Sequence, residues 1–135
     1  MKSPSEIVNI MINADSFSKW LGINVVKIDR GVCILNCEVK NEMLNGFHIA
    51  HGGITYSLAD SCLAFASNSY GYQCVSIETS ISHIKKVLEG EQLTATSREI
   101  SRTRKTGIYE ITIHNQNHEL VANFKGTVFI TENLW

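Results

Sequence analysis

Proline and charge are both scarce in this chain, which has one proline, Pro4, among 135 residues and only 19% charged side chains. The formal net charge is −1, so the protein has no strong field that would attract nucleic acid or an acidic membrane surface. No stretch approaches the roughly 20 apolar residues of a membrane span. The segment Met1–Asp15 also lacks the basic and apolar regions of a secretion signal. We therefore expect a cytoplasmic protein that has neither nucleic acid nor a membrane as a partner.

The four cysteines do not form a disulfide or metal framework. Cys33 and Cys37 occupy inward positions of one predicted strand, where residues four apart lie about 13 Å from each other, too far for a disulfide. Cys62 and Cys74 lie further along the chain, and the spacing of the four matches neither kind of framework. We expect all four to be reduced, small apolar residues of the core.

Two pairs of histidines come close together in the sequence. His48 and His51 fall in a predicted loop without a nearby carboxylate, and His114 and His118 span a predicted hairpin turn. A protein metal site needs three or four converging ligands. We therefore expect no metal.

An N-terminal helical segment, residues 1–18, is predicted by apolar residues at helical spacing. The helix itself is expected over Glu6–Asp15, and a turn is expected after it through Ser16–Lys19. We expect the helix to pack against the outside of the domain. The spaced apolar residues are Ile7, Ile10 and Met11.

The rest of the chain predicts antiparallel strands and one long helix. A hairpin is expected over Gly22–Lys40, with its turn at Asp29–Gly31, and a loop over 41–52. Residues 53–70 contain no Lys, Arg or Glu and predict a central helix buried on nearly all sides. This pattern indicates a single α+β domain over 1–135, in which the sheet curls around the helix. The later strands are expected over Cys74–Lys85, Gln92–Ser101, Gly107–His114 and Leu120–Ile130.

Between Met43 and Ile77 the chain carries a single formally charged side chain, Asp60, inside the predicted central helix. Removing a carboxylate from water without a cationic partner costs several kcal/mol or shifts its pKa. Proteins keep such groups where they do chemistry or complete a hydrogen-bond network. Asp60 is therefore a candidate catalytic residue, and capping by Ser57 or Ser61 is the alternative explanation.

The loop and helix around Asp60 resemble a known family. The run Asn45-Gly46-x-x-x-x-His51-Gly52-Gly53, followed by Ser57-Leu58-Ala59-Asp60-Ser61, is similar to the loop and central helix of hotdog-fold acyl-CoA thioesterases of the PaaI (phenylacetic acid degradation) type. The resemblance extends from about Gly22 to the C-terminus. It implies the hotdog fold, a curved antiparallel sheet of five to six strands wrapped around one long central helix.

The resemblance also implies a division of roles among these residues. Gly52, at the start of the helix, is expected to donate its backbone N–H to the thioester oxyanion, with Gly53 as a second donor. Asn45 is expected to orient the carbonyl or the attacking water. Asp60 would act as general base or nucleophile, and Ser76 would hold the water. In the family, Asn45 and Gly52 of one subunit would face Asp60 and Ser76 of the other.

Further residues are expected to contact the substrate. His51 is expected to hold the loop through ring hydrogen bonds and to lie with Gly53 beside the bound thioester. Basic residues at neighbouring strand ends are expected to pair with the phosphates of coenzyme A, although a solvated strand face would carry the same residues. The basic residues are Lys85, Lys86, Arg98, Arg102, Arg104 and Lys105.

The expected function is hydrolysis of a small aromatic (phenylacetyl or hydroxyphenylacetyl type) or medium-chain acyl-CoA by a homodimer or homotetramer. No cofactor is expected, because coenzyme A is part of the substrate. The chain has no Gly-x-Ser-x-Gly nucleophile elbow, which argues against serine-hydrolase chemistry. Two alternatives remain open: a hotdog 3-hydroxyacyl-thioester dehydratase or hydratase that uses His51 with Asp60, and a non-catalytic acyl-CoA-binding module.

Overall fold

A six-stranded antiparallel sheet packs around one long helix in the computed structural model, which describes residues 1–135. The strands are β1 (Asn24–Asp29), β2 (Val32–Glu38), β3 (Tyr72–His83), β4 (Gln92–Arg102), β5 (Thr106–His114) and β6 (Leu120–Leu134). The helices are α1 (Pro4–Ala14), α2 (Ser16–Leu21) and α3 (Gly52–Asn68), with a short 3₁₀ turn at Asn41–Met43. The sheet order is β1-β2-β4-β5-β6-β3, and α3 contacts all six strands. The predicted α+β class is confirmed.

The N-terminal segment consists of two helices instead of the predicted helix and turn. Ser3 caps α1, because its hydroxyl accepts from the Glu6 N–H at 3.2 Å and the Glu6 carboxylate accepts from the Ser3 N–H at 2.7 Å. Asp15 then accepts from the Ser18 N–H at 2.9 Å and starts α2. The predicted turn through Ser16–Lys19 was wrong, since a capped second helix occupies that stretch.

The buried face of α1 also differs from the prediction. Ile7 and Val8 are buried, whereas Ile10 is 43% exposed. Successive residues of a helix are rotated by about 100°, so placing Val8 inward turns Ile10 toward the solvent. The neighbouring α2 is tied to α3 by a hydrogen bond between the Ser18 and Ser61 hydroxyls at 2.8 Å. The N-terminal segment thus packs on the central helix and on β1.

The central helix α3 is buried as predicted. It spans Gly52–Asn68 where 53–70 was expected, and none of its residues is exposed. Strand β5 packs against α3. Its alternate residues are fully buried, namely Tyr109, Ile111 and Ile113. None of the three helices combines the length and apolar character that crossing a bilayer requires.

All four cysteines are free, and three of them lie in the core. Burial raises the pKa of the Cys37 thiol to about 11, so the thiol is neutral at physiological pH. Cys74 is half-buried, whereas Cys33 and Cys62 are fully buried. The prediction of reduced core cysteines is confirmed for the three buried ones.

Gly126 on β6 lets the sheet approach α3 closely. A methyl group at this position would overlap the Leu63 side chain of α3. We expect Gly126→Ala to destabilise the fold by about 1–3 kcal/mol, because an overfilled core forces side chains or backbone to move. Guanidinium unfolding would be compared with that of Gly46→Ala, where an added methyl group meets nothing within 4 Å. An unchanged free energy of unfolding in Gly126→Ala would contradict the close packing.

Candidate active site

The loop ahead of α3 is folded tightly around the side chain of Asn45. The Asn45 Oδ1 accepts from the Phe47 N–H at 2.9 Å and from the Ile49 N–H at 3.4 Å. The Asn45 N–H donates to the Ile49 carbonyl at 2.8 Å, and His48 adopts a positive φ of 61° to close the turn. The loop thus occupies the amide oxygen of Asn45, and the Nδ2 group is left without an acceptor in the chain.

The first turn of α3 presents a free backbone donor at Gly52. Gly52 is the first helical residue, and its N–H has no acceptor within the chain. The helix dipole adds partial positive charge at this end. The Gly53 N–H, by contrast, donates to His51 Nδ1 at 2.8 Å, so it is not available as the expected second donor. The His51 ring holds the loop, and because Nδ1 accepts, the neutral ring carries its proton on Nε2.

Asp60 lies in the middle of α3, half-buried and without a hydrogen-bond or ion-pair partner in the chain. Neither neighbouring serine caps it, since the Ser61 hydroxyl bonds to Ser18 and Ser57 makes no such contact. Desolvation by burial raises the pKa of the Asp60 carboxyl above its ordinary value. A partly desolvated, unpaired carboxylate is well suited to act as a base or a nucleophile.

Asp60 and Ser76 line the same surface depression, which has a volume of about 50 Å³. Ser76 lies on β3 opposite Val128 of β6, and its hydroxyl has no partner in the chain. The structure therefore brings Asp60 and Ser76 together within one chain. The remaining lining residues are Leu63, Ala64, Ser67, Cys74 and Val128.

Gly52 and Asp60 lie on the same helix but cannot act on the same atom within one chain. Eight helical residues place them about 12 Å apart along the axis and about 80° apart around it. A carbonyl that reacts must lie within about 3 Å of its oxyanion donor and also within reach of the base. The candidate residues of one chain therefore fall into two half-sites: the donor half, with Asn45 and Gly52, and the acid half, with Asp60 and Ser76.

Lys85 and Arg104 lie at opposite ends of β6. Lys85 pairs with Glu119, just before that strand. Arg104 lies in the β4–β5 turn, 3.9 Å from Glu132 near the end of the strand. The 13 residues from Glu119 to Glu132 span about 40 Å in an extended strand. The predicted phosphate-binding residues therefore do not form one cluster within a chain.

Arg98 and Arg102 are both engaged in contacts with other residues of the chain. The Arg98 guanidinium donates to Glu110 across β4 and β5 at 3.1 Å. Arg102 stacks on the Tyr70 ring, 3.9 Å from its centroid, and donates to the Tyr109 hydroxyl at 3.1 Å. Arg102 also borders a surface depression of about 760 Å³, which contains no residue of either half-site.

His83 is a candidate site residue that the sequence did not reveal. A methyl group built on Gly52 would lie 3.1 Å from His83 Nε2, and Thr55 Oγ1 lies 3.2 Å from His83 Nδ1. This contact joins the end of β3 to the start of α3, 31 residues apart in sequence. No local pattern could signal it, because it depends on how the strand packs against the helix.

Comparisons with known proteins agree with this fold. The family model described as Thioesterase superfamily matches residues 47–122, a range that contains members of both half-sites. The acyl-coenzyme A thioesterase PaaI of Escherichia coli (strain K12) is 37% identical over 116 residues, which cover 86% of this chain and 83% of that protein. The solved structure of the E. coli PaaI protein from the phenylacetic acid degradation operon matches with a TM-score of 0.95 at 33% identity, covering 97% of this chain and 95% of that one.

Two streptococcal proteins are similar at lower identity. The smu.793 protein of Streptococcus mutans UA159, solved bound to acetyl-CoA, matches with a TM-score of 0.81 at 29% identity, over 84% of this chain and 91% of that one. A hypothetical thioesterase of Streptococcus pneumoniae TIGR4, solved as an Asp-to-Ala variant, matches with a TM-score of 0.80 at 25% identity, over 82% and 92%. This chain belongs to the thioesterase superfamily and has the hotdog fold of the PaaI type of acyl-CoA thioesterases.

Proposed function

We propose that the protein hydrolyses an acyl-CoA with a small aromatic acyl group, of the phenylacetyl or hydroxyphenylacetyl type, or a medium-chain one, to the free acid and CoA. The observation that carries the proposal is that α3 has both a free Gly52 N–H and a partly desolvated Asp60 carboxylate without a partner. Thioester hydrolysis needs a donor for the oxyanion and a base or nucleophile for the attack. These are the two groups that the half-sites offer.

The reaction can use Asp60 in either of two ways. As general base, Asp60 takes a proton from water while the water oxygen bonds to the carbonyl carbon, and Gly52 donates to the oxyanion. Collapse of the intermediate breaks the C–S bond, and the thiolate takes up a proton to become CoA. As nucleophile, Asp60 itself bonds to the carbonyl carbon, the thiolate leaves, and water then hydrolyses the mixed anhydride. Ser76 lines the same depression as Asp60 and would hold the water in both routes.

The proposed site forms between two copies of the chain. The donor half of one subunit faces the acid half of the other, because the two halves of one chain lie too far apart. Strand β3 supports this arrangement, since it is an edge of the sheet and exposes Val75 at 55% and Ile77 at 60%. Exposed apolar edge strands tend to pair with another chain. Ser76 lies between these two residues, so pairing through β3 places the acid half at the interface. Two such dimers would form the proposed homotetramer.

The similar proteins support the substrate class and the acid half. The E. coli relative comes from a phenylacetic acid degradation operon, and the S. mutans protein binds acetyl-CoA. The S. pneumoniae thioesterase has been solved with an aspartate replaced by alanine and with a threonine replaced by alanine, at positions 16 residues apart. Asp60 and Ser76 are also 16 residues apart. We propose on this basis that Ser76 has the role of a hydroxyl partner to Asp60.

The contacts to the phosphates of CoA stay a prediction. Lys85, Arg98 and Arg104 each lie beside a carboxylate of their own chain, so binding a phosphate would require exchanging that partner. His51 keeps an exposed ring with Nε2 free to face the substrate. The chemistry requires no metal or redox cofactor, because the chain supplies the base and the oxyanion donor.

Thiol release from a panel of CoA thioesters tests the proposed function. The panel contains phenylacetyl, hydroxyphenylacetyl, benzoyl, hexanoyl and octanoyl thioesters, and crotonyl-CoA is added to detect hydration of a double bond. We expect free CoA and free acid in equal amounts, with the highest kcat/KM for an aromatic or medium-chain member. Hydration of crotonyl-CoA without thiol release would identify a hydratase. Binding of the panel without any turnover would identify a binding module, and either result would overturn the proposal.

A further inference from the structure

We infer that His83 is a substrate-positioning residue whose Nε2 accepts a hydrogen bond from the amide N–H of the pantetheine arm next to the thioester. The inference rests on the proposed function, because it assigns one contact of the acyl-CoA substrate. It also extends the donor half-site by two residues, His83 and Thr55.

The His83 ring faces Gly52 with its Nε2 edge. Of the ring atoms near a methyl group built on Gly52, Nε2 is nearest at 3.1 Å, followed by Cε1 at 3.5 Å and Cδ2 at 3.8 Å. His83 is exposed to solvent in the chain, so a ligand can reach it. A thioester whose carbonyl oxygen is bound by the Gly52 N–H would therefore pass close to Nε2.

Thr55 determines which ring nitrogen of the neutral His83 carries the proton. Thr55 is buried, and its Oγ1 lies 3.2 Å from the Gly52 carbonyl and 3.2 Å from His83 Nδ1. A carbonyl can only accept, so the single hydroxyl proton of Thr55 goes to Gly52. The second hydrogen bond then requires Nδ1–H as the donor. The neutral ring consequently presents an unprotonated Nε2, a hydrogen-bond acceptor, toward the substrate.

An acceptor at this place matches one group of a CoA thioester. An oxyanion would be repelled by the lone pair of Nε2, so His83 in this tautomer is not a second oxyanion donor. The sulfur of the substrate is followed by two carbons and an amide N–H, which lies roughly 4–5 Å beyond the sulfur at ordinary bond lengths. This N–H is the first hydrogen-bond donor along the CoA arm, and Nε2 is the free acceptor beside Gly52.

The test compares two substrates that differ in this one group. The first is the phenylacetyl thioester of pantetheine, and the second is its analogue in which the amide N–H nearest the sulfur is replaced by an ester oxygen. We expect the wild type to hydrolyse the thioester of the amide-containing compound with roughly tenfold higher kcat/KM than that of the ester analogue. One hydrogen bond would give a difference of this size. In His83→Phe, which keeps a ring of similar size, we expect the preference to vanish. The rates of alkaline hydrolysis of the two compounds correct for their intrinsic reactivity.

Two further variants separate the contact from a packing role of the ring. His83→Asn retains an N–H that can reach Thr55 but has nothing at the Nε2 position, so its preference should also vanish. Thr55→Val removes the group that fixes the tautomer, and its preference should fall below that of the wild type. A wild type that prefers neither substrate, or a preference that survives in both His83 variants, would overturn the inference. If the wild type releases no thiol from any CoA thioester, the proposed function fails instead.

Discussion

Asp60→Asn is expected to lower kcat for CoA thioesters by two or more orders of magnitude, which is roughly what loss of a general base or nucleophile costs. An amide has the shape of the carboxyl group but neither takes up a proton nor attacks a carbonyl at neutral pH. The carboxylate has no cationic partner in the chain, so its replacement leaves no charge unpaired. The fold and CoA binding should therefore persist. Glu89→Gln, which removes an exposed carboxylate outside both half-sites, is the matched control.

The raised pKa of Asp60 gives this prediction a pH dependence. Burial favours the protonated carboxyl in the folded state, so the folded protein binds more protons than the unfolded chain near this pKa. The stabilisation of the protonated form is lost as the pH rises through the folded-state pKa. Asp60→Asn should accordingly melt at a higher temperature than the wild type at neutral pH, and the difference should shrink in acid.

The kcat of the wild type should fall as the pH drops through the same raised pKa. Unchanged turnover in Asp60→Asn would contradict the assignment.

Gly52→Pro is expected to lower kcat/KM by roughly a hundred- to a thousandfold relative to Gly52→Ala, because it removes the N–H that we propose as the oxyanion donor. Proline is well accommodated at the first position of a helix, where its missing N–H breaks no helical hydrogen bond. His51, with φ −58° and ψ 140°, already has the extended backbone that a residue before proline prefers. The variant should therefore fold with α3 intact, which circular dichroism and thermal unfolding would check.

Gly52→Ala is the matched control for the missing donor. Both variants place a carbon atom about 3.1 Å from His83 Nε2, but alanine keeps the N–H. The loss of activity that the two variants share measures the effect of an added carbon atom beside the substrate. The difference in kcat/KM between them measures the contribution of the Gly52 N–H. Equal kcat/KM values for Gly52→Pro and Gly52→Ala would remove the Gly52 N–H from the mechanism.

The elements that sequence alone could predict are those with a strong local pattern. The absence of Lys, Arg and Glu over the central helix predicted its burial, and the alternation of Tyr109, Ile111 and Ile113 predicted the buried face of β5. The helix α2 was missed because six residues carry little periodicity and its start depends on the Asp15 cap. The far end of β6, from Thr131 to Leu134, was missed because its residues show no apolar alternation.

The candidate site was predictable only in part, for the same reason. Asp60 stood out because its sequence surroundings are free of charge, and Gly52 because the loop and helix around it resemble a known family. His83 and Thr55 gave no signal, since their contact exists only when β3 packs beside α3. The separation of the basic residues could not be predicted from the sequence either, because the sheet order determines which strand ends lie together.

The measurement that tests the shared site most directly is thiol release by a mixture of Asp60→Asn and Gly52→Pro subunits. Co-expressed in equal amounts, the two variants should form dimers at random, and half of these dimers should contain one subunit of each kind. Each mixed dimer would then have one intact site, with Gly52 from the Asp60→Asn chain and Asp60 from the Gly52→Pro chain. Its other site would carry both substitutions. We predict about a quarter of the wild-type activity from a mixture of two variants that are each nearly inactive alone. A mixture as inactive as its components would contradict a site built from two chains.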